Sequence, residues 1–222
     1  MNVTTASQRG AYRDLDRLQA DWRERRRDIE RRLRDFRRIG GGSDEELFAE
    51  LAFCLLAIQT SARRSDAAVK DLTANALLWR GSASEIAEVL RSRVRFHNHK
   101  AGYLVAARDR FFGGESLSRF LESSPPRDLR ERLVNDVHGF GYKEASHFLR
   151  NVGRGEGFAI LDRHVLKNLR RHGVIHGIPA SLPAKRYLAI EERVRDFASA
   201  VRIPMAGIDL VFWSRETGEV FK

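Results

Sequence analysis

The chain has one cysteine in 222 residues. A single thiol excludes an internal disulfide framework, and it cannot supply the four thiolates that an iron–sulfur cluster usually needs. That residue, Cys54, lies in the apolar run from Leu51 to Leu56, where a small buried hydrophobe is expected. No apolar stretch approaches the roughly 20 residues of a membrane span. The opening from Met1 to Arg13 has no apolar core of signal-peptide length. A soluble cytoplasmic protein with no membrane span is therefore expected. Sustained period-2 alternation is missing, as are internal repeats and low-complexity tails. His97 and His99 have no cysteine or carboxylate cluster beside them, so no metal and no catalytic cofactor are expected.

Positive charge and helical periodicity are abundant. Forty Lys and Arg against thirty Asp and Glu leave a net charge of +10, a balance that favours a polyanion, with nucleic acid ahead of an anionic membrane. The length suffices for one sizeable core or for two small lobes. Leu15, Leu18, Trp22, Ile29, Leu33 and Phe36 form one stripe of a long helix whose other face is filled with arginine. The run Gly40-Gly-Gly-Ser-Asp-Glu-Glu46 stops that helix and caps the next, expected over 45–59. Further helices are expected near 65–79, 84–91, 100–112, 127–137, 143–152, 163–172, 184–201 and 204–216, with Gly, Ser or Pro at the breaks. The fold class is all-α.

The chemistry concentrates in two short segments. Asn135 to Leu149 reads as a helix end, a hairpin with Gly139 and Gly141, and a second helix starting near Tyr142. The glycines let the backbone turn tightly and approach another surface, and the amides opening the second helix suit a phosphate. An ordinary tight turn accounts for the glycines equally well. Lys143, however, falls in the first turn of that helix, where the macrodipole disfavours a cation. An amine that gives up its proton there is a candidate nucleophile for a sugar carbon or a Schiff base. Nineteen residues on, Asp162 directly precedes another helical run, and it serves as an N-cap, as a fixed ionised carboxylate, or as both.

With those residues in view, His138-Gly-Phe-Gly-Tyr-Lys143 followed by Ile160-Leu-Asp-Arg-His164 resembles the helix-hairpin-helix DNA glycosylases. The strings 141–153 and 213–222, with 51–56 and 94–100, resemble one branch, the archaeal and bacterial 8-oxoguanine DNA glycosylase/AP lyases of the second type. The resemblance implies a two-lobed helical protein with its active site in the cleft between the lobes. It places residues 1–58 with 156–222 in one discontinuous lobe and 59–155 in the other, ending in the helix-hairpin-helix at about 133–152. It implies a monomeric prokaryotic enzyme, associated with the nucleoid, that acts on double-stranded DNA containing oxidised guanine. Lys143 would attack C1′ and carry the Schiff base through β-elimination, while Asp162 assists. Gly139 and Gly141 would grip phosphate, and a structural monovalent cation could sit on the hairpin carbonyls. Gln59, Phe96 and Trp213 would meet the extruded base or the gap it leaves, although each also fits an ordinary structural place. One departure is Ala57-Ile-Gln-Thr60, where the branch commonly has Thr-Pro-Gln-Ser. Lys222 follows an apolar helix, and its α-carboxylate would accept the N7 hydrogen that distinguishes 8-oxoguanine from guanine. Two other readings are a non-catalytic helix-hairpin-helix DNA-binding module and a glycosylase/lyase for another oxidised base.

Overall fold

The computed structural model describes residues 12–222, so most of the Met1–Arg13 opening lies outside the described residues. Among the described residues every regular element is a helix, as the all-α expectation requires. The elements are α1 (Leu15–Gly40), α2 (Asp44–Leu56), α3 (Ala62–Ala74), α4 (Leu77–Arg80), α5 (Ala83–Leu90), α6 (His97–Phe112), α7 (Leu117–Glu122), α8 (Pro126–Asp136), α9 (Tyr142–Asn151), α10 (Arg163–Arg171), α11 (Ala184–Val201) and α12 (Met205–Thr217). Among them no single helix is long and apolar enough to cross a membrane.

Serine caps start several of these helices. Ser43 accepts from the Glu46 amide while Glu46 accepts from the Ser43 amide, a reciprocal capping box repeated by Ser82 and Glu85. Within α1, Leu18, Trp22, Ile29 and Phe36 are buried, as the stripe predicts, while Leu15 and Leu33 are only half-buried.

The chain divides into two compact units, residues 36–154 and residues 1–35 with 155–222. The first boundary falls inside α1, not at 58/59, so α2 belongs with the hairpin. The reason is packing: α2 lies against α3, α6, α7 and α9, and buried Asn151 of α9 donates to Glu50 of α2 at 2.5 Å. Nine of the thirteen residues of α2 are buried, among them Cys54, and they make the centre of this unit's core.

In the other unit, α12 packs on α10 and α11. Gly207 allows Trp22 and Ile29 to approach α12, since a Cβ there would meet the Trp22 ring at 3.2 Å. Arg215 ties three segments: it donates to Asp21 at 2.6 Å, to Asn168 at 2.8 Å and to the His172 ring at 3.0 Å. The His172 imidazole stacks on Phe197 and on Phe212.

Several expected boundaries shift. The helix expected to reach Gln59 stops at Leu56, because the following carbonyls turn toward Lys100. The 65–79 pattern is two helices separated by Ala76 in the left-handed region. Helix α6 begins at His97, earlier than the expected Lys100, and α7 was not anticipated.

Candidate active site

The hairpin unit presents Lys143. Helix α8 closes with the Val137 amide donating to Leu133, and the Phe140 amide then donates to Val137 across the turn. Gly139 sits at φ +89°, and a Cβ there would lie 2.9 Å from the Tyr103 ring; conformation and space both demand glycine. The Tyr103 ring stacks on His138, which fixes the turn from the other side. Gly141, by contrast, is extended at φ −110°, and any residue adopts that backbone. Having no side chain, it cannot cap α9 as Ser43 caps α2. The Glu144 carboxylate accepts from the Gly141 amide at 3.3 Å, so one donor that could have met a phosphate is already engaged.

Lys143 is the second residue of α9. It is half-buried, with Nζ 3.5 Å from the Glu144 carboxylate. Its charge faces that of Lys100. Lys100 carries no local motif in the sequence, and its one signal is an apolar register: Lys100, Leu104, Ala107 and Phe111 recur at helical spacing, and all are buried. Its Nζ donates to Leu56 O at 2.8 Å, Ile58 O at 2.6 Å and Thr60 Oγ1 at 3.0 Å. Burial, reinforced by Lys143 and Arg95, pulls its pKa down to about 8.

Gln59 lies in the turn these bonds hold, exposed and in the left-handed region at φ +52°. Phe96 precedes α6 at φ +57° and is 50% exposed, under the Arg95 guanidinium. The hairpin unit therefore carries Gln59, Phe96, Gly139, Gly141 and Lys143.

The remaining predicted residues lie in the other unit. Asp162 is the N-cap of α10: its Oδ1 accepts from the His164 amide at 2.9 Å and the Val165 amide at 2.8 Å. The extended segment leading to it is held on α11, where the Tyr187 hydroxyl donates to Ala159 O and accepts from the Leu161 amide. Glu191 accepts from the Ala159 amide. Trp213 is half-buried on α12, next to the fully buried Val211 and Phe212. Phe221 is buried with Arg32 over its ring, and Lys222 is half-buried. Among the described residues no three His, Cys, Asp or Glu side chains gather where they could hold a metal ion.

Comparison with known proteins bears on both units. The family profile described as 8-oxoguanine DNA glycosylase matches residues 29–203. A protein of Fusobacterium nucleatum named 8-oxoguanine DNA glycosylase/AP lyase is 39% identical, over 94% of this chain and 97% of its own. The crystal structure of the 8-oxoguanine DNA glycosylase of Thermotoga maritima superposes with a TM-score of 0.85 at 37% identity, covering 94% of this chain and 98% of that one. That of the Methanocaldococcus jannaschii glycosylase/lyase, in complex with a 15mer DNA containing 8-oxoguanine, gives 0.86 at 33% identity, covering 94% and 99%. With sequence and fold matched along nearly their whole lengths, the chain belongs to the 8-oxoguanine DNA glycosylase family.

Proposed function

We propose that this protein excises 8-oxoguanine from double-stranded DNA and then cleaves the strand at the resulting site, with Lys143 as nucleophile and Asp162 as its acidic partner. The observation that carries the assignment of the nucleophile is the position of Lys143: half-buried in the first turn of α9, directly behind a hairpin whose Gly139 is fixed at φ +89°. The glycosidic carbon is unreachable inside the base stack, so the damaged nucleotide is extruded first. The Lys143 amine attacks C1′ as the base departs with the bonding pair. Loss of a proton from nitrogen and opening of the sugar ring leave a Schiff base between Nζ and C1′. β-Elimination then removes a proton from C2′, forms the double bond between C2′ and C3′ and expels the phosphate from C3′, and hydrolysis of the Schiff base returns the amine. Asp162, with two amides donating to one oxygen, is fixed in place. Such a carboxylate stabilises cationic character on the sugar and can accept a proton.

Exposed Gln59, half-exposed Phe96 and half-buried Trp213 are available to the base or its vacated place, where stacking on an aromatic is worth about 1 to 3 kcal/mol per base. Lys222 offers its carboxylate to the N7 hydrogen. Gly139 and Gly141 approach the phosphates. A monovalent cation on the hairpin carbonyls would be structural, since the Val137 carbonyl keeps a second lone pair beside the one that takes the Phe140 amide. The protein acts as a monomer, in the cytoplasm beside the nucleoid. A non-catalytic hairpin module would leave the combination of lysine and capped carboxylate without a purpose.

The test uses duplexes carrying 8-oxoguanine, an abasic site or undamaged guanine, with and without borohydride. The unaltered protein is expected to be trapped on the first two and not on the third. Lys143→Gln is expected to lose trapping and cleavage while still binding damaged duplex. Full activity in that variant would refute the assignment of the nucleophile.

A further inference from the structure

We infer that Lys100 is a positioning residue for base recognition: from beneath the turn that follows α2, it holds Gln59 and Phe96 in the exposed conformations from which they meet DNA. The inference rests on the functional reading above and adds to it a residue that touches no substrate.

The geometry is a closed set of bonds. An ammonium has three protons, and Lys100 faces three acceptors, Leu56 O, Ile58 O and Thr60 Oγ1, at 2.6 to 3.0 Å. The Thr60 hydroxyl is also fully used. Besides accepting from Lys100, it accepts from the Arg95 amide at 3.3 Å and donates to Ile58 O at 3.4 Å. One amine and one hydroxyl thereby tie the turn 58–60 to the residue preceding Phe96. Gln59 sits between the two tied positions of the turn.

A helix C-cap alone would need only the Leu56 carbonyl and would not require a buried lysine. Burial works against the charge, and Lys143 and Arg95 add repulsion. A methionine of similar length could fill the same space. What the ammonium adds is the shape of the turn. Gln59 and Phe96 are both non-glycine residues in the left-handed region, a conformation that persists only where the surroundings over-determine it. Neither exposed side chain can do that for itself, and the node formed by buried Lys100 and half-buried Thr60 lies next to both. The turn also abuts the hairpin, with Ile58 Cδ1 3.7 Å from the Cβ position of Gly139, so its shape bears on the unit's DNA-facing groups together.

The experiment is a double-mutant cycle in the full-length protein, combining Lys100→Met with Gln59→Ala. Single-turnover excision of 8-oxoguanine by Lys100→Met is expected to fall at least about tenfold, with a non-additivity in the cycle of the size typical of residues sharing one bonded network. Borohydride trapping on a preformed abasic site, which needs no base recognition, is expected to change far less. Gln59→Ala should add little loss in the Lys100→Met background, because the turn that presents Gln59 is already released. Thr60→Val, which keeps the lysine and the side-chain shape, should show the same pattern to a smaller degree, and it serves if Lys100→Met does not fold. Unchanged excision, additive losses, or an equal loss of abasic trapping would each overturn the inference. Absence of excision by the unaltered protein would overturn the functional reading and this inference with it.

Discussion

The imidazole of His164 meets the indole of Trp213 edge to face, with ring centroids 6.4 Å apart. The amide of the same His164 is one of the two that Asp162 caps. A single residue of α10 thus links the capped carboxylate to the partly exposed tryptophan of α12, and both are placed before any ligand arrives. Arg215, reaching Asn168 of α10 from α12, keeps those two helices in register.

Asp162 has a capping role and a proposed chemical role, and the two are separable. Asparagine caps about as well as aspartate, so Asp162→Asn should unfold near the temperature of the unaltered protein while its excision rate falls at least about tenfold. Asp162→Ala should lose the cap as well, about 1 kcal/mol. Excision and thermal unfolding measured on one preparation decide the matter, and retained excision in Asp162→Asn would leave only the cap.

The two hairpin glycines should respond differently to alanine. At Gly139 the left-handed backbone and the Tyr103 ring both oppose a Cβ, and the conformation alone costs roughly 1 to 2 kcal/mol. Gly141→Ala places its Cβ no nearer than 3.4 Å to any neighbour on an extended backbone and should be close to neutral. Denaturant midpoints for both variants test this, and equal midpoints would contradict it.

His172 should make the protein sensitive to mild acid. Burial lowers its pKa most, the bond to the Arg13 carbonyl opposes that, and Arg215 adds to the lowering. The unfolded chain, with an ordinary value of about 6.5, takes up its proton first as pH falls. Stability is therefore present above about pH 6.5 and declines below it, through the lower folded value. Unfolding free energies measured between about pH 7.5 and 5 should fall more steeply for the unaltered protein than for His172→Gln. Matching slopes would count against the role.

Deleting Lys222 should reduce 8-oxoguanine excision far more than cleavage at a preformed abasic site. The fold should survive, because the anchors precede the deleted residue: Phe221 is buried under Arg32, and Gly218 O accepts from Arg25. Equal excision by the full-length and shortened proteins in single-turnover assays would refute the recognition role.

What could be read in the sequence was whatever depends on local chemistry. Gly139 announces a turn because only glycine is comfortable there, and Asp162 announces a helix start because its oxygen reaches the next amides. Helix α11 was expected at its observed limits because its apolar period runs unbroken. Features that depend on distant partners stayed hidden. The end of α2 is set by Lys100, more than forty residues away. Six-residue α7 is too short for its period to repeat. The break at Ala76 lacks a glycine or proline to mark it. The boundary within α1 follows from what its two ends pack against, which its continuous stripe does not disclose.

The burial of Cys54 has a practical consequence for kinetics. The thiol is fully buried on α2, 4.0 Å from the Asn151 amide nitrogen of α9. An alkylating reagent reaches it only when the helices packed around α2 part, so the labelling rate under native conditions times the opening of the hairpin unit. Since the sequence has no second cysteine, that clock reads one event, and a cysteine introduced on the surface would take a fluorophore at one place while Cys54 stays silent.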